Sequence, residues 1–201
     1  MRQLTIRNRL KDISGSKSGW TLFLDRDGVL NRRPGDAYVM HPDKFKWIPG
    51  SLEAMGIFPD FFDRIVVVTN QQGIGKGLMT EKELFQVHAH MLDDLKTRGG
   101  RIDAVYYASG LRHLDSFNRK PGAGMFMQAK GDFPEIDFRK SVMVGDSFSD
   151  VLIGYRLNMV TVFISTAKLF PRQYGYMADY QFYNLIALSD YIKKARTHSS
   201  T

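Results

Sequence analysis

The apolar positions of this chain fall into two rhythms. Short unbroken runs at 21–25, 65–70, 104–108, 141–146 and 161–164 are rich in Val, Ile, Leu, Phe, Tyr and Thr. A run with apolar residues on both faces is a strand buried on both sides, which points to a parallel sheet between layers of helix. Between the runs the period lengthens. Leu84, Val87, His88, Met91, Leu92 and Leu95 share one helical face. Thr80 with Glu83 opens that helix as a capping box, and Gly99-Gly100 closes it near 97. Further helices are predicted at 51–57, stopped by Pro59, and at 122–131, 148–157 and 185–196, with a short strand at 180–183. Strands alternating with helices predict a doubly wound α/β fold with a mostly parallel sheet and helices on both faces. Pro34, Pro42 and Pro49 make 31–50 an irregular loop with at most a short hairpin, and Gln71 to Gly77 reads as a glycine-rich loop. Residues 1–19 end in Ser14-Gly15-Ser16-Lys17-Ser18-Gly19, a flexible composition. The expected organisation is a loose basic tail over 1–19, a single domain over 20–196 and a C-terminal tail over 197–201.

Composition adds bounds rather than a function. With 201 residues, 43% of them hydrophobic and 24% charged, the chain suits an ordinary globule with a sizeable core. It has no cysteine, which excludes disulfides and cysteine-ligated zinc and fits a reducing compartment. No apolar run reaches membrane-spanning length and the N-terminus has no signal-peptide core, so a cytoplasmic protein with no membrane partner is expected. The net charge of +7 suggests nucleic acid until it is mapped. Residues 1–19 carry five basic groups against Asp12, and 191–201 carry Lys193, Lys194 and Arg196 with no acid. That leaves twenty charges of each sign in 20–190. Basic ends on a neutral body are usually solvated, which favours a small substrate over nucleic acid. A monomer is the expectation.

In an open parallel sheet, ligands bind beyond the carboxyl ends of the strands. The predicted strand ends bear Asp25 and Asp27, then Thr69, Asn70 and Gln71, then Asp146 with Ser147 and Asp150. The loop after the third strand leads to Arg119-Lys120-Pro121. Taken singly, Asp146 suits a helix N-cap, Asp150 a first-turn acid and Lys120 a solvated loop. Those readings leave the shared strand-end position unexplained. Converging acids, one lysine and a hydroxyl suit phosphate with Mg²⁺: the metal offsets the carboxylates, and lysine and hydroxyl hold the transferring group. Gly28 gives the turn after the first strand its backbone freedom.

These residues resemble the haloacid-dehalogenase-like (HAD-like) phosphatase superfamily. Four signatures stand in order across about 20–165: Asp25-x-Asp27-Gly28, Thr69 after an apolar strand, Lys120 before Pro121, and Gly145-Asp146-x-x-x-Asp150. The resemblance implies a HAD-like, Rossmann-type sheet. It makes Asp25 the nucleophile that forms an aspartyl-phosphate, and Asp27 the general acid and base. It gives Mg²⁺ to Asp25, Asp146 and the Asp27 carbonyl, and the phosphoryl oxygens to Thr69 and Lys120. Asp150 would orient Lys120 or a metal-bound water. The segments Asp25–Asn31, Tyr38-Val39, Thr69–Gly77 and Arg119–Met125 resemble the heptose-bisphosphate and histidinol-phosphate phosphatase branch, which lacks a large cap domain. That branch implies substrate contacts from Asn70, Gln71, Lys76 and Arg119. Lys76 stands where the branch commonly has arginine, keeping the charge without the fork. Many members carry a cysteine-rich zinc loop before Arg-Lys-Pro. Here 108–118 has no cysteine and His113 is alone, so structural zinc is not expected. The implied activity is Mg²⁺-dependent hydrolysis of a sugar phosphate, foremost heptose 1,7-bisphosphate. Histidinol phosphate, a nucleic-acid 3′-end phosphate, and a vestigial phosphate-binding domain are the competing readings.

Overall fold

The computed structural model describes residues 9–13, 19–33, 35, 38–114, 117–167 and 169–198. Six strands form one sheet: β1 (Thr21–Leu24), β2 (Arg64–Asn70), β3 (Ala104–Ala108), β4 (Ser141–Gly145), β5 (Val160–Ile164) and β6 (Tyr180–Phe182). Their order is β3-β2-β1-β4-β5-β6, and every pairing is parallel. The helices are α1 (Ser51–Ile57), α2 (Glu81–Lys96), α3 (Gly124–Asp132), α4 (Phe148–Arg156) and α5 (Leu185–His198).

Successive strand residues point to opposite faces, and both faces are buried. Leu22, Leu24, Ile65, Val67, Val142 and Val144 pack against α1, α2 and α5 through residues such as Met55, Met91 and Ile192. Phe23, Val66, Val68 and Met143 pack against α3 and α4 through Met125, Phe126 and Ile153. This accounts for unbroken apolar runs in place of alternation. The strand order reverses between β1 and β4, whose registers run Thr21 with Ser141 to Leu24 with Val144. Such a reversal is where a doubly wound sheet opens a ligand crevice. The connection from β1 to β2 carries only α1 and short turns, and that from β2 to β3 only a helical turn and α2, so among the described residues neither builds a cap.

Two expectations need correction. The supposed loose tail is partly docked: Arg9–Asp12 form a 3₁₀ turn, with Leu10 and Ile13 fully buried in the α1/α5 face of the core. The Arg9 guanidinium lies 5.7 Å from the Trp20 ring. A polar, glycine-rich flank hid two isolated apolar residues that still find the core. Residues 1–8 and 14–18 of that segment, and 199–201 of the C-terminal tail, lie outside the described residues. Gln72–Gly75 also close a helical turn inside the stretch read as loop. The capping box on α2 forms as predicted, with both Thr80 and Glu83 side chains bonding the other's backbone.

Candidate active site

Asp25 leaves β1 without leaving the sheet, because its N–H still donates to the Val144 carbonyl of β4 (2.9 Å). Its side chain thus lies at the reversal of strand order. The turn that follows wraps on the Arg26 carbonyl, which accepts from the N–H groups of Leu30 (2.9 Å) and Asn31 (3.2 Å). Gly28 has φ +94° there, and a Cβ would lie 1.9 Å from Asp146 Oδ2. The glycine therefore lets the β1 turn touch the carboxylate from β4. Gly145 does the same on the other side, since its Cβ would meet Asp150 Cβ at 2.1 Å.

Lys120 is the buried cation among these acids. Its Nζ lies 2.8 Å from Asp25 and 2.7 Å from Asp150, and donates to the Val68 carbonyl at 2.6 Å. Burial alone would lower the lysine pKa; the Asp150 and Asp25 carboxylates outweigh it and hold the pKa above its usual value. Asp150 also accepts from the Ser147 N–H (3.1 Å) and hydroxyl, capping α4. Asp150 thus contacts Lys120, in keeping with one of the two roles implied for it, and also lies in an acidic cluster with Asp25 and Asp146. Asn70 fixes the lysine's backbone from both sides: its Oδ1 accepts from the Lys120 N–H (3.0 Å), and its Nδ2 donates to the Lys120 carbonyl (3.3 Å).

Asp25, Asp146 and Asp150 have carboxylate oxygens within 4.8 Å of one another. Burial pushes Asp25 up to about 6, with Lys120 opposing and Asp150 and Asp27 adding to the rise. Burial and the Asp25 charge push Asp146 up to about 7, against Arg33. Arg33 donates to both Asp146 Oδ1 (2.9 Å) and the Asp27 carbonyl (3.2 Å). A cation is thus drawn to the oxygens that the family pattern gives to the metal.

Asp27 is held differently. Its Oδ1 accepts from Asn31 (2.9 Å), its Oδ2 from Gln71 (2.8 Å), and Arg26 Nη2 sits between the two at 2.9 and 2.8 Å. Burial would raise the Asp27 pKa, but Arg26 and the hydrogen bonds from Asn31 and Gln71 hold it below its usual value. Arg26 itself is 0% exposed, and its Nη1 meets Nε2 of His88 at 3.1 Å. Burial and the Arg26 charge push His88 down to about 3, so its ring is neutral.

Asp25, Thr69, Asn70, Arg119 and Lys120 line a cavity of about 280 Å³, with Asp27 and Asp150 at its wall. Thr69 is buried and its hydroxyl accepts from Gln71 at 2.8 Å. Gln71, which the resemblance offers as a substrate contact, lies a layer deeper: it is fully buried and joins Thr69 to Asp27. Lys76 is exposed and does not line this cavity; its ammonium stands 5.6 Å from the Tyr38 ring, which does. Arg119 and Lys120 also border a second groove of about 700 Å³, where Arg112, Arg156 and Phe148 are found.

Sequence reasoning missed Arg26, Arg33, His88, Arg112 and Arg156 as parts of the site. His88 alone carried a signal, as the one ionisable group on the buried stripe of α2. The arginines sit in turns or on an exposed helix end, where no period says which way a side chain points.

A buried lysine bridging acids at the reversal of a parallel sheet is the arrangement that the HAD-like resemblance implies. The family described as HAD-hydrolase-like matches residues 117–182. The chain is 34% identical over 166 residues to a D-glycero-alpha-D-manno-heptose-1,7-bisphosphate 7-phosphatase of Mycobacterium tuberculosis, covering 83% of this chain and 87% of that one. It is 35% identical to the D-glycero-beta-D-manno-heptose-1,7-bisphosphate 7-phosphatase of Pasteurella multocida, covering 86% and 96%. The solved D,D-heptose 1,7-bisphosphate phosphatase of B. bronchiseptica, complexed with magnesium and phosphate, matches with a TM-score of 0.76 at 25% identity, over 87% of this chain and 98% of that one. The chain belongs to this family of HAD-like phosphatases. No helix among the described residues is long and apolar enough to cross a membrane.

Proposed function

We propose that the chain removes the 7-phosphate from a D-glycero-D-manno-heptose 1,7-bisphosphate, using Mg²⁺ and a phosphorylated Asp25. The observation that carries the proposal is Lys120 buried at 2.8 Å from Asp25, at the wall of a cavity that Arg119 also lines. A carboxylate attacks an anionic phosphoryl group only where charge is offset, and Lys120 offsets it. The three acids within 4.8 Å, two of them with raised proton affinity, and the Arg33 guanidinium drawn to Asp146 and the Asp27 carbonyl fit a divalent cation. Asp25, Asp146 and the Asp27 carbonyl would hold it. When bound, Mg²⁺ neutralises these acids and the phosphoryl oxygens.

In the first step an Asp25 oxygen bonds to phosphorus as the ester P–O bond breaks. The bond pair stays on the leaving sugar oxygen, which takes a proton from Asp27. In the second step Asp27 takes a proton from water, the water oxygen bonds to phosphorus, and the bond to Asp25 breaks to release phosphate. The donors around Asp27 favour its ionised form, which suits the second step. The charge of a bound phosphate beside it raises its proton affinity for the first. Thr69 and Lys120 hold the phosphoryl oxygens. Arg119, with Arg112 and Arg156 in the adjoining groove, supplies positive charge for the distal phosphate. That charge disfavours histidinol phosphate, whose far end is cationic.

The test is phosphate release with Mg²⁺ from both anomers of the heptose 1,7-bisphosphate, from histidinol phosphate and from a 3′-phosphorylated oligonucleotide. A heptose bisphosphate should give the highest kcat/KM, and Arg119→Ala should lower it by about tenfold or more, the size of a lost hydrogen bond to a charged group. Faster turnover of histidinol phosphate or of the oligonucleotide would overturn the assignment.

A further inference from the structure

We infer that His88 is a positioning residue for the phosphatase reaction, acting through Arg26 to hold Asp27 in place. The inference rests on the reading of Asp27 as the proton donor to the leaving oxygen. A guanidinium has donors only, so the ring nitrogen facing Arg26 Nη1 at 3.1 Å accepts its hydrogen bond. Nη2 is spent on the two Asp27 oxygens, and Nε has no partner among the described residues. His88 is therefore what fixes the far edge of a fully buried guanidinium. Asn31 and Gln71 are neutral donors to Asp27, which leaves Arg26, among the described residues, as the charged group in contact with its carboxylate.

The location of His88 makes a packing role insufficient. It shares the buried stripe of α2 with Leu84, Val87, Met91 and Leu95, where an aliphatic side chain would fill the space without bringing a polar ring to be satisfied. The ring instead spans from α2 to the turn after β1, and ties that helix to the motif that carries both proposed catalytic acids. Without an acceptor at that point the buried Nη1 is left unsatisfied, and the guanidinium shifts at its contact with Asp27 to find another, drawing the carboxylate from its place. Displacement of this kind reduces proton donation more than it reduces binding.

Leaving-group dependence separates this from a structural role. A sugar oxygen needs a proton as its P–O bond breaks, whereas a nitrophenolate leaves without one. Because kcat/KM reports steps through formation of the aspartyl-phosphate, it is measured for the heptose bisphosphate and for p-nitrophenyl phosphate. The proteins are the wild type, Asp27→Asn, His88→Leu and His88→Gln, with thermal midpoints recorded; His88→Met replaces the leucine variant if that fails to fold. The apolar variants should lose about tenfold or more on the sugar phosphate and less than about threefold on the aryl phosphate. His88→Gln, whose amide oxygen can accept from Arg26, should recover most of the sugar-phosphate activity. Equal losses on both substrates in the apolar variants, unchanged activity, or a glutamine no better than leucine would overturn the inference while Asp27→Asn keeps its leaving-group dependence. Equal losses in Asp27→Asn would remove the reading of Asp27 and the inference with it.

Discussion

Lys120 brings a full charge to the buried wall of the cavity, and its contacts explain why that is tolerated. Two carboxylates and a carbonyl lie at 2.6–2.8 Å from its ammonium, so a buried cation becomes part of a network instead of an isolated cost, and a bound phosphoryl oxygen would share these donors. Asp25 and Asp146 are less well served. Their raised pKa values, about 6 and about 7, mean that the native site holds protons between about pH 4 and pH 7 that the unfolded chain has released. The contribution of these two groups to stability is thus fully present below about pH 4 and is lost as pH rises through their folded values. A divalent cation must displace the same protons, so the stabilisation it gives grows over that range. The rise in thermal midpoint on adding Mg²⁺ should be larger at about pH 8 than at about pH 5.5, and Asp146→Asn should flatten the difference. His88, with its folded pKa near 3, contributes with the opposite sign below about pH 6.5, but equally with and without the metal, so it drops out of the comparison. A Mg²⁺ shift independent of pH would contradict the burial of these acids. Of this site the sequence revealed the residues that chemistry makes conspicuous, namely acids at strand ends and a lysine before proline. Arg26 was not apparent, because between two acids in a turn it reads as a solvated partner; only the fold turns it inward.

At the scale of elements, the strands were readable because burial on both faces leaves an unbroken apolar run, as in Ile65–Thr69 and Ser141–Gly145. Their order was not, since no residue pattern states which strand neighbours which; the β1–β4 reversal comes from packing of the helices on each face. Helix α2 was defined at both ends by its own chemistry, a capping box and Gly99 at φ +67°. The turn at Gln72–Gly75 was hidden because its glycines signal a loop, although Gly73 packs against Tyr38. The 3₁₀ turn at Arg9–Asp12 was hidden for a related reason. Two apolar residues in a basic, serine- and glycine-flanked segment give no period, and only the completed core shows that Leu10 and Ile13 fill it beside α5. Leu10→Ala should therefore cost about 2–5 kcal/mol, as for other full truncations in a core. Chemical denaturation would measure it, with kcat on a saturating substrate little changed. A loss under about 0.5 kcal/mol, the usual size for a surface change, would return this segment to the status of a loose tail.

Across the whole molecule, one device recurs: the turn after β1 is held from several sides so that two acids one residue apart meet different surroundings. Asp25 faces Lys120 and the acids of the β4 side, while Asp27 is gripped by Arg26, Asn31 and Gln71. In the proposed reaction, nucleophile and proton carrier would thereby be distinguished by what surrounds each of two identical side chains. Asp25 as the residue that carries the phosphoryl group is the centre of this account. The most direct measurement is chemical trapping during turnover: enzyme with Mg²⁺ and heptose bisphosphate is quenched in acid, reduced with borohydride, digested and examined by mass spectrometry. Reduction of an aspartyl-phosphate leaves homoserine, so the account predicts conversion of Asp25 to homoserine, dependent on substrate and Mg²⁺, with Asp27 and Asp146 unchanged. Conversion at Asp27 in place of Asp25, or turnover that continues in Asp25→Asn with no trapped residue, would contradict it.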